Sequence, residues 1–166
     1  MTGRTLLAAI AAFFLAVAVS LASPAGPALA SSAHGPFLEL SVIHGVKTDG
    51  GLSIDPALRD LPQLTRDQPF VQYNSYKLLE RRQFPLDASK PVVLPLPNGR
   101  TLQVTLGGVS VEKNEKRYQL EARIAEPGKQ AFLRGLHVTT SENEPFFVGG
   151  QSYQGGTLFL ELLVRP

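Results

Sequence analysis

Apolar and polar residues alternate along most of the chain beyond residue 36, which is the period of a β-strand with one buried face. In residues 117–124 the apolar side chains occupy even positions and the charged or amide side chains occupy odd positions. Similar runs cover residues 38–42, 92–96, 102–106 and 158–164. The last of these runs is apolar on both faces, and this predicts an interior strand.

Turn residues separate the runs. Asn98-Gly99 between two alternating segments predicts a hairpin whose two turn residues both adopt positive φ. Gly107-Gly108 predicts a bulge, and residues 113–116 predict a second turn. Short strands about ten residues apart, joined by Gly, Pro and Asn, favour a mainly β fold. We expect an antiparallel β-sandwich or partly open barrel of about 7–8 strands.

A helical period occurs once, in residues 55–66. Asp55 is a suitable N-cap and Pro56 suits the first helical position. The apolar stripe consists of Leu58, Leu61 and Leu64. Pro62 shortens or breaks this helix because it has no N–H to donate. An extended segment is expected at residues 72–84, and another at residues 132–140 with Leu136 and Val138 inside.

The first thirty residues have the pattern of a secretory signal peptide. Arg4 precedes an uncharged apolar run at residues 6–19, and an A-x-A site ends the segment. Cleavage between Ala30 and Ser31, with Ala28 as the other small residue, is therefore expected. The run is shorter than the roughly 20 residues of a membrane-spanning helix and has no charged stop-transfer flank, so no permanent span should remain after cleavage; a retained anchor is the alternative.

We divide the chain into a signal peptide (residues 1–30), a flexible leader (31–35) and a single β-rich domain (36–166). The chain has no cysteine, which excludes a disulfide and a lipid-modified cysteine. All but one of the sixteen Lys and Arg residues follow the signal, against fourteen acidic residues. This nearly neutral balance gives no reason to expect a nucleic-acid partner.

The histidines do not have the spacing of a metal motif. A site formed by His44 with Asp49 or Asp55 is conceivable, but a solvated turn histidine is the simpler interpretation of His44. The sequence predicts no metal and no cofactor.

Catalytic patterns are also incomplete. Ser152 resembles the nucleophile of a G-x-S-x-G elbow, but the second glycine comes one residue late and no histidine follows. An acid pair for glycoside hydrolysis would have to come from Glu39, Glu142, Glu144 or Glu161, whose separation in space the sequence does not define. No catalytic residue is predicted.

Residues 144–156 contain two adjacent phenylalanines and two glycine pairs. One interpretation is a hairpin whose glycines provide positive φ. The other is a loop that contacts a partner. The candidate contact residues of that loop are Phe146, Phe147, Gln151, Tyr153 and Gln154.

Several of these features occur together in a group of small uncharacterised exported proteins from Gram-negative bacteria, which the chain resembles. The shared features are the signal peptide, Asp55-Pro56, Tyr73, Tyr76, Asn98-Gly99, Gly149-Gly150 and Gly155-Gly156. The resemblance implies an exported β-rich fold and a Gram-negative source. It implies no activity.

Together these patterns favour a periplasmic or secreted, non-enzymatic interaction module, such as an accessory subunit of an envelope or surface assembly. Its partner would then be another envelope or secreted protein. The alternative is a small secreted hydrolase or hydrolase inhibitor whose site is dispersed along the sequence. A deep pocket that holds carboxylates of raised pKa would favour this alternative.

Overall fold

The computed structural model describes residues 35–126 and 135–166. The strands are β1 (Phe37–Val46), β2 (Ser53–Ile54), β3 (Ser75–Pro85), β4 (Val92–Pro95), β5 (Thr101–Glu112), β6 (Glu115–Ala125), β7 (Leu136–Ser141), β8 (Phe146–Tyr153) and β9 (Gly156–Arg165). Two 3₁₀ turns, Pro56–Leu58 and Phe70–Gln72, flank a short helix, α1 (Gln63–Arg66). The predicted signal peptide and its cleavage site lie outside the described residues.

The strands form two sheets, in the orders β2-β3-β1-β9-β8 and β4-β5-β6-β7. All neighbouring strands are antiparallel except β2 and β3. The predicted mainly β, sandwich-like fold is confirmed. The strands number nine in the described residues, because a two-residue strand, β2, adds to the predicted set.

The main core lies between the two sheets. It contains the even-numbered apolar residues of β1 and β9 on one side and the alternating residues of β5 and β6 on the other. Its fully buried members include Leu38, Val42, Leu102, Val104, Tyr118, Leu158 and Leu160. Removing one such aliphatic side chain from water contributes about 1.5–3 kcal/mol. The period of two therefore specifies which face of each strand meets the opposite sheet.

A second core covers part of the outer face of the five-stranded sheet. The segment between β2 and β3 crosses this face and inserts Leu58, Leu64 and Phe70 against Ile43 and Phe159. Strand β9 is consequently buried on both faces and is hydrogen-bonded on both edges, by β1 and β8. The prediction of an interior strand at the end of the chain is confirmed.

The crossing segment begins as predicted. Asp55 caps the first 3₁₀ turn, since its Oδ1 accepts a hydrogen bond from the Ala57 N–H at 3.0 Å, and Pro56 follows it. The expected helix at residues 55–66 is interrupted, however. The 3₁₀ turn ends at Leu58 and α1 begins only at Gln63, because Pro62 cannot donate a helical hydrogen bond.

Three local predictions need correction. The Asn98-Gly99 turn has positive φ only at Gly99 (77°), because Leu96 and Arg100 enclose a three-residue loop instead of a two-residue one. The extended segment expected from residue 72 begins at Ser75, after a 3₁₀ turn. Leu136 is 44% exposed, since β7 is an edge strand with a neighbour on one side only. Residues 127–134 lie outside the described residues.

Candidate functional site

The glycine-rich segment forms the β8–β9 hairpin. Tyr153 and Gly156 are opposite each other, and the two residues between them have positive φ, 42° at Gln154 and 75° at Gly155. Such a two-residue turn matches the twist of the flanking strands. Gly150 also has positive φ (89°), at the point where the register of β8 shifts against β9. Most of the segment is therefore an edge strand with a bulge.

The five predicted contact residues occupy three different environments. Phe146, Gln151 and Tyr153 pair across the ladder with Leu162, Leu158 and Gly156 of β9. All three are half-buried and lie on the side of the main core. Phe147 is on the other face of the sheet, with its ring centroid 4.9 Å from that of Phe70. Gln154 is exposed in the turn. The fold thus brings these side chains to one sheet edge but not to one surface.

Tyr153 is held by His44. The His44 Nε2 lies 3.0 Å from the Tyr153 carbonyl oxygen, and the two rings form an edge contact with centroids 5.2 Å apart. Gln151, two residues earlier, has a buried side-chain oxygen with no hydrogen-bond partner. His44 therefore has a structural contact of its own and is not the solvated turn residue expected from the sequence.

A cavity of about 400 Å³ opens beside the outer face of β8. Its walls come from β8, from β9 and from the end of the crossing segment. They are formed by Gln63, Asp67, Gln68, Pro69, Phe70, Pro145, Phe146, Phe147, Gly149 and Phe159. We call it the aromatic cavity, because Phe70, Phe147 and Phe159, which pack together in the second core, all line it. Gln63, Asp67 and Gln68 make the rest of its wall polar, so an apolar side chain that enters it would contact the phenylalanine rings on one side only.

A second cavity, of about 390 Å³, lies farther along the same face. It is lined by Glu39, Ala57, Asp60, Leu61, Pro62, Gln63, Arg81, Asn143, Pro145, Glu161, Leu163 and Arg165. We call it the acidic cavity. It shares Gln63 and Pro145 with the aromatic cavity, so the two are neighbours on one face of the sheet.

A row of polar side chains crosses the floor of the acidic cavity on three strands. Ser41 on β1 is opposite Arg81 on β3 and Glu161 on β9. The Arg81 Nε donates to the Ser41 Oγ at 3.1 Å, and the Ser41 hydroxyl lowers the pKa of the opposite Glu161 carboxyl. Glu161 is only 4% exposed. Burial raises the pKa of its carboxyl group. Ser41 and the nearby arginines lower this pKa, but by less than burial raises it.

A second carboxylate of the cavity, Glu39, has a different environment. Glu39 accepts a hydrogen bond from the Gln83 side chain at 2.9 Å and lies 3.5 Å from an Arg165 nitrogen. The structure therefore brings Glu39 and Glu161 to one cavity and gives only Glu39 an ion-pair partner.

The remaining two candidate glutamates lie elsewhere, beside the β5–β6 turn. Glu142 accepts a hydrogen bond from the Tyr118 hydroxyl at 2.6 Å and pairs with Lys116 at 3.2 Å. The Tyr118 hydrogen bond is the main cause of the lowered pKa of Glu142, and burial raises the pKa of Tyr118 to about 12. Glu144 is exposed and lies 3.7 Å from Arg117. These contacts stabilise the turn, and they leave Glu142 ionised rather than suited to donate a proton.

Within residues 35–126 and 135–166, no three His, Asp or Glu side chains approach closely enough to share a metal ion. Nor does any helix in that part of the chain have the length and hydropathy needed to cross a membrane.

The sequence contained one unused signal for the acidic cavity. Glu161 is the only charged residue among the consecutive buried positions 158–164 of β9. A charged residue is expensive to bury without a partner, so a single glutamate in a strand that is apolar on both faces points to a special environment. The partners Ser41 and Arg81 come from distant strands, and no pattern within β9 could identify them.

No family model, curated protein or solved structure matches the chain. Its function therefore has to be inferred from the edge strand and the two cavities.

Proposed function

We propose that this domain is an exported, non-enzymatic interaction module that binds an extended segment of another envelope or secreted protein along the free edge of β8. The observation that carries the proposal is the position of an eight-residue edge strand beside the aromatic cavity. No other strand in the described part of the chain pairs with that edge. An unpaired edge offers a row of N–H and C=O groups to an incoming strand.

The composition of β8 supports this role. Edge strands are commonly protected against association by charged side chains or proline, and β8 has neither in the sequence FFVGGQSY. The bulge at Gly149-Gly150 is its one protective feature, and it leaves a regular stretch on each side. By contrast, the edge strand β4 is four residues long and ends in Pro95.

Ser152 is the best-defined donor on this edge. The Tyr153–Gly156 pair closes a two-residue hairpin and exchanges hydrogen bonds across the ladder. The next pair, Ser152 with Thr157, is then a non-hydrogen-bonded pair, so the N–H and C=O of Ser152 point away from β9. An added strand would pair with these groups.

The aromatic cavity favours a partner segment over a second copy of this chain. The apolar side chain that enters it must come from the incoming strand. On the outer face, β8 itself has Phe147, already packed on Phe70, and the polar Ser152. A second β8 would therefore bring no free apolar side chain to the cavity, whereas a different extended segment can do so.

The test uses a displayed library of ten-residue peptides, selected against the protein recovered after expression of the full chain. We expect the selected peptides to share a large apolar residue and to slow amide exchange at Ser152. Ser152→Pro removes the outward N–H from an edge position where proline is tolerated, and should abolish binding. Ser152→Ala keeps the N–H and should bind like the wild type. Phe147→Leu should weaken binding by altering the cavity wall.

Equal binding by the Ser152→Pro and Ser152→Ala variants would refute strand addition at β8. The library could instead yield no peptide while the protein proves to be a β8-linked dimer in solution. That result would assign the edge to a second copy of this chain and would also reject the proposal.

The acidic cavity favours a second candidate function, an acid-base hydrolase. It contains a buried carboxylate of raised pKa, Glu161, and a second carboxylate, Glu39, that lies 3.5 Å from an Arg165 nitrogen. Two carboxylates in unlike environments are the arrangement that acid-base chemistry uses.

The test is turnover of nitrophenyl glycosides and esters. Hydrolysis that disappears in Glu161→Gln and persists in the exposed control Glu112→Gln would support this function, and no turnover by the wild type would exclude these reactions.

A further inference from the structure

The Glu161 carboxylate is buried without a counter-ion in direct contact. Among the described residues, no Lys or Arg nitrogen lies within 4.0 Å of it. The polar group opposite it is the Ser41 hydroxyl, which partly offsets the effect of burial on its pKa. An ionised carboxylate can accept about four hydrogen bonds, so most of its acceptor capacity is unused. Buried charges in proteins are normally paired, which makes this position unusual.

The two arginines that line the same cavity are engaged elsewhere. Arg165 donates to the Asn143 side-chain oxygen at 2.9 Å and contacts Glu39 at 3.5 Å. Arg81 donates to Ser41 at 3.1 Å and to the Ala57 carbonyl at 3.2 Å. These contacts hold the guanidinium groups in the cavity wall.

A second acceptor without a partner belongs to Gln63, which lines both the acidic and the aromatic cavity. The Gln63 side-chain oxygen is buried and has no hydrogen-bond partner. The lining also carries more negative than positive charge. Its charged residues are Glu39, Asp60 and Glu161 against Arg81 and Arg165. The cavity therefore has both an excess of acceptors and room for one additional positive charge.

We propose that the acidic cavity binds an alkylammonium group, with the Glu161 carboxylate as its counter-ion. An ammonium group has three N–H donors and no acceptor, which complements the unused acceptors of Glu161 and Gln63. Its alkyl stem would lie against the apolar part of the lining, Leu61, Pro62 and Leu163. The group is supplied either by a free amine or by a lysine side chain of a bound protein. The proposal is independent of strand addition at β8.

Protons compete with the ammonium group for the same carboxylate. Burial raises the pKa of Glu161, and an incoming cation binds only the ionised form. Affinity should therefore increase as the pH rises through the titration of Glu161. The other charged groups that face it are Glu39 on β1, Arg81 on β3, Arg165 on β9 and Asp60 on the crossing segment.

The experiment is an NMR titration of the labelled protein, recovered after expression of the full chain. The probes are butylammonium chloride, 1-butanol as its neutral isostere, and the blocked tripeptide acetyl-Ala-Lys-Ala-amide. Butylammonium should cause saturable shifts at the amides of Gln63, Glu161 and Leu163, and butanol should not. Glu161→Gln should weaken binding by about tenfold or more, and the matched exposed variant Glu112→Gln should bind like the wild type.

The relative affinities of the two ammonium probes identify the source of the bound group. Butylammonium binding as tight as that of the tripeptide assigns the site to a free amine, and tighter binding of the tripeptide assigns it to a protein lysine. Equal shifts with butanol, unchanged binding in Glu161→Gln, or no saturable binding of either ammonium probe would overturn the proposal.

Discussion

Ser41 and Glu161 lie directly opposite each other on β1 and β9, and the serine hydroxyl partly offsets the effect of burial on the pKa of an almost completely buried carboxyl group. Beside them the same face of the sheet is covered by aromatic and aliphatic side chains. The outer face thus changes from an apolar core to a charged cavity within one or two residues of each strand.

Glu161→Gln should stabilise the protein at neutral pH. Burial raises the pKa of Glu161 in the folded state, so the folded state binds the proton more tightly than the unfolded state does. The contribution of this group to the free energy of unfolding is then greatest at low pH and is lost as the pH rises through the raised pKa. Each unit by which folding raises the pKa corresponds to about 1.4 kcal/mol. Urea unfolding at several pH values measures the difference between variant and wild type.

The advantage of the glutamine variant should shrink as the solution is acidified, because the wild-type carboxyl becomes neutral too. The exposed variant Glu112→Gln should change little at any pH. A Glu161→Gln variant that is less stable at neutral pH would show that the ionised carboxylate is favourable in the fold.

Phe70→Ala should loosen the crossing segment from the sheet. The Phe70 ring is buried, with centroids 4.9 Å from Phe147 and 4.8 Å from Phe159. Truncation leaves a cavity among these rings and should lower the free energy of unfolding by about 3–5 kcal/mol. Urea denaturation of the variant gives the value. The neighbouring exposed residue provides the control, since Val71→Ala should cost well under half as much.

Gly155→Ala should destabilise the β8–β9 hairpin by about 1–2 kcal/mol. No atom lies within 4 Å of an added Cβ, so the cost comes from the positive φ of 75° and not from a clash. Gly51→Ala is the matched control, because its surroundings are equally open and its φ is not positive. Thermal unfolding compares the two, and equal melting temperatures would contradict the assignment of strain to this turn.

Export with cleavage after Ala30 predicts a mature protein that begins at Ser31. Ala30→Leu should block processing, because signal peptidase requires a small residue there, whereas Leu29→Ser changes the variable position of the site and should be processed normally. The intact mass of the protein recovered from the periplasm or medium tests this. A recovered protein that still starts at Met1 would contradict the predicted signal peptide.

Local patterns in the sequence predicted much of the fold. The alternation in residues 117–124 indicated which side chains of β6 are buried, and Asp55-Pro56 marked the start of the crossing segment. These predictions succeeded because side-chain direction in a strand and hydrogen bonding at a helix start depend on neighbours along the chain. The Asn98-Gly99 turn was less well predicted, since two- and three-residue loops use similar residues.

Which strands became neighbours depended on the tertiary structure. The sequence alone determined that β9 is apolar on both faces, but the crossing segment that covers its outer face comes from about a hundred residues earlier in the chain. The acidic cavity likewise requires Ser41, Arg81 and Glu161 to meet on three strands. Sheet register brings such residues together through pairing over long sequence separations, and no local pattern records that pairing.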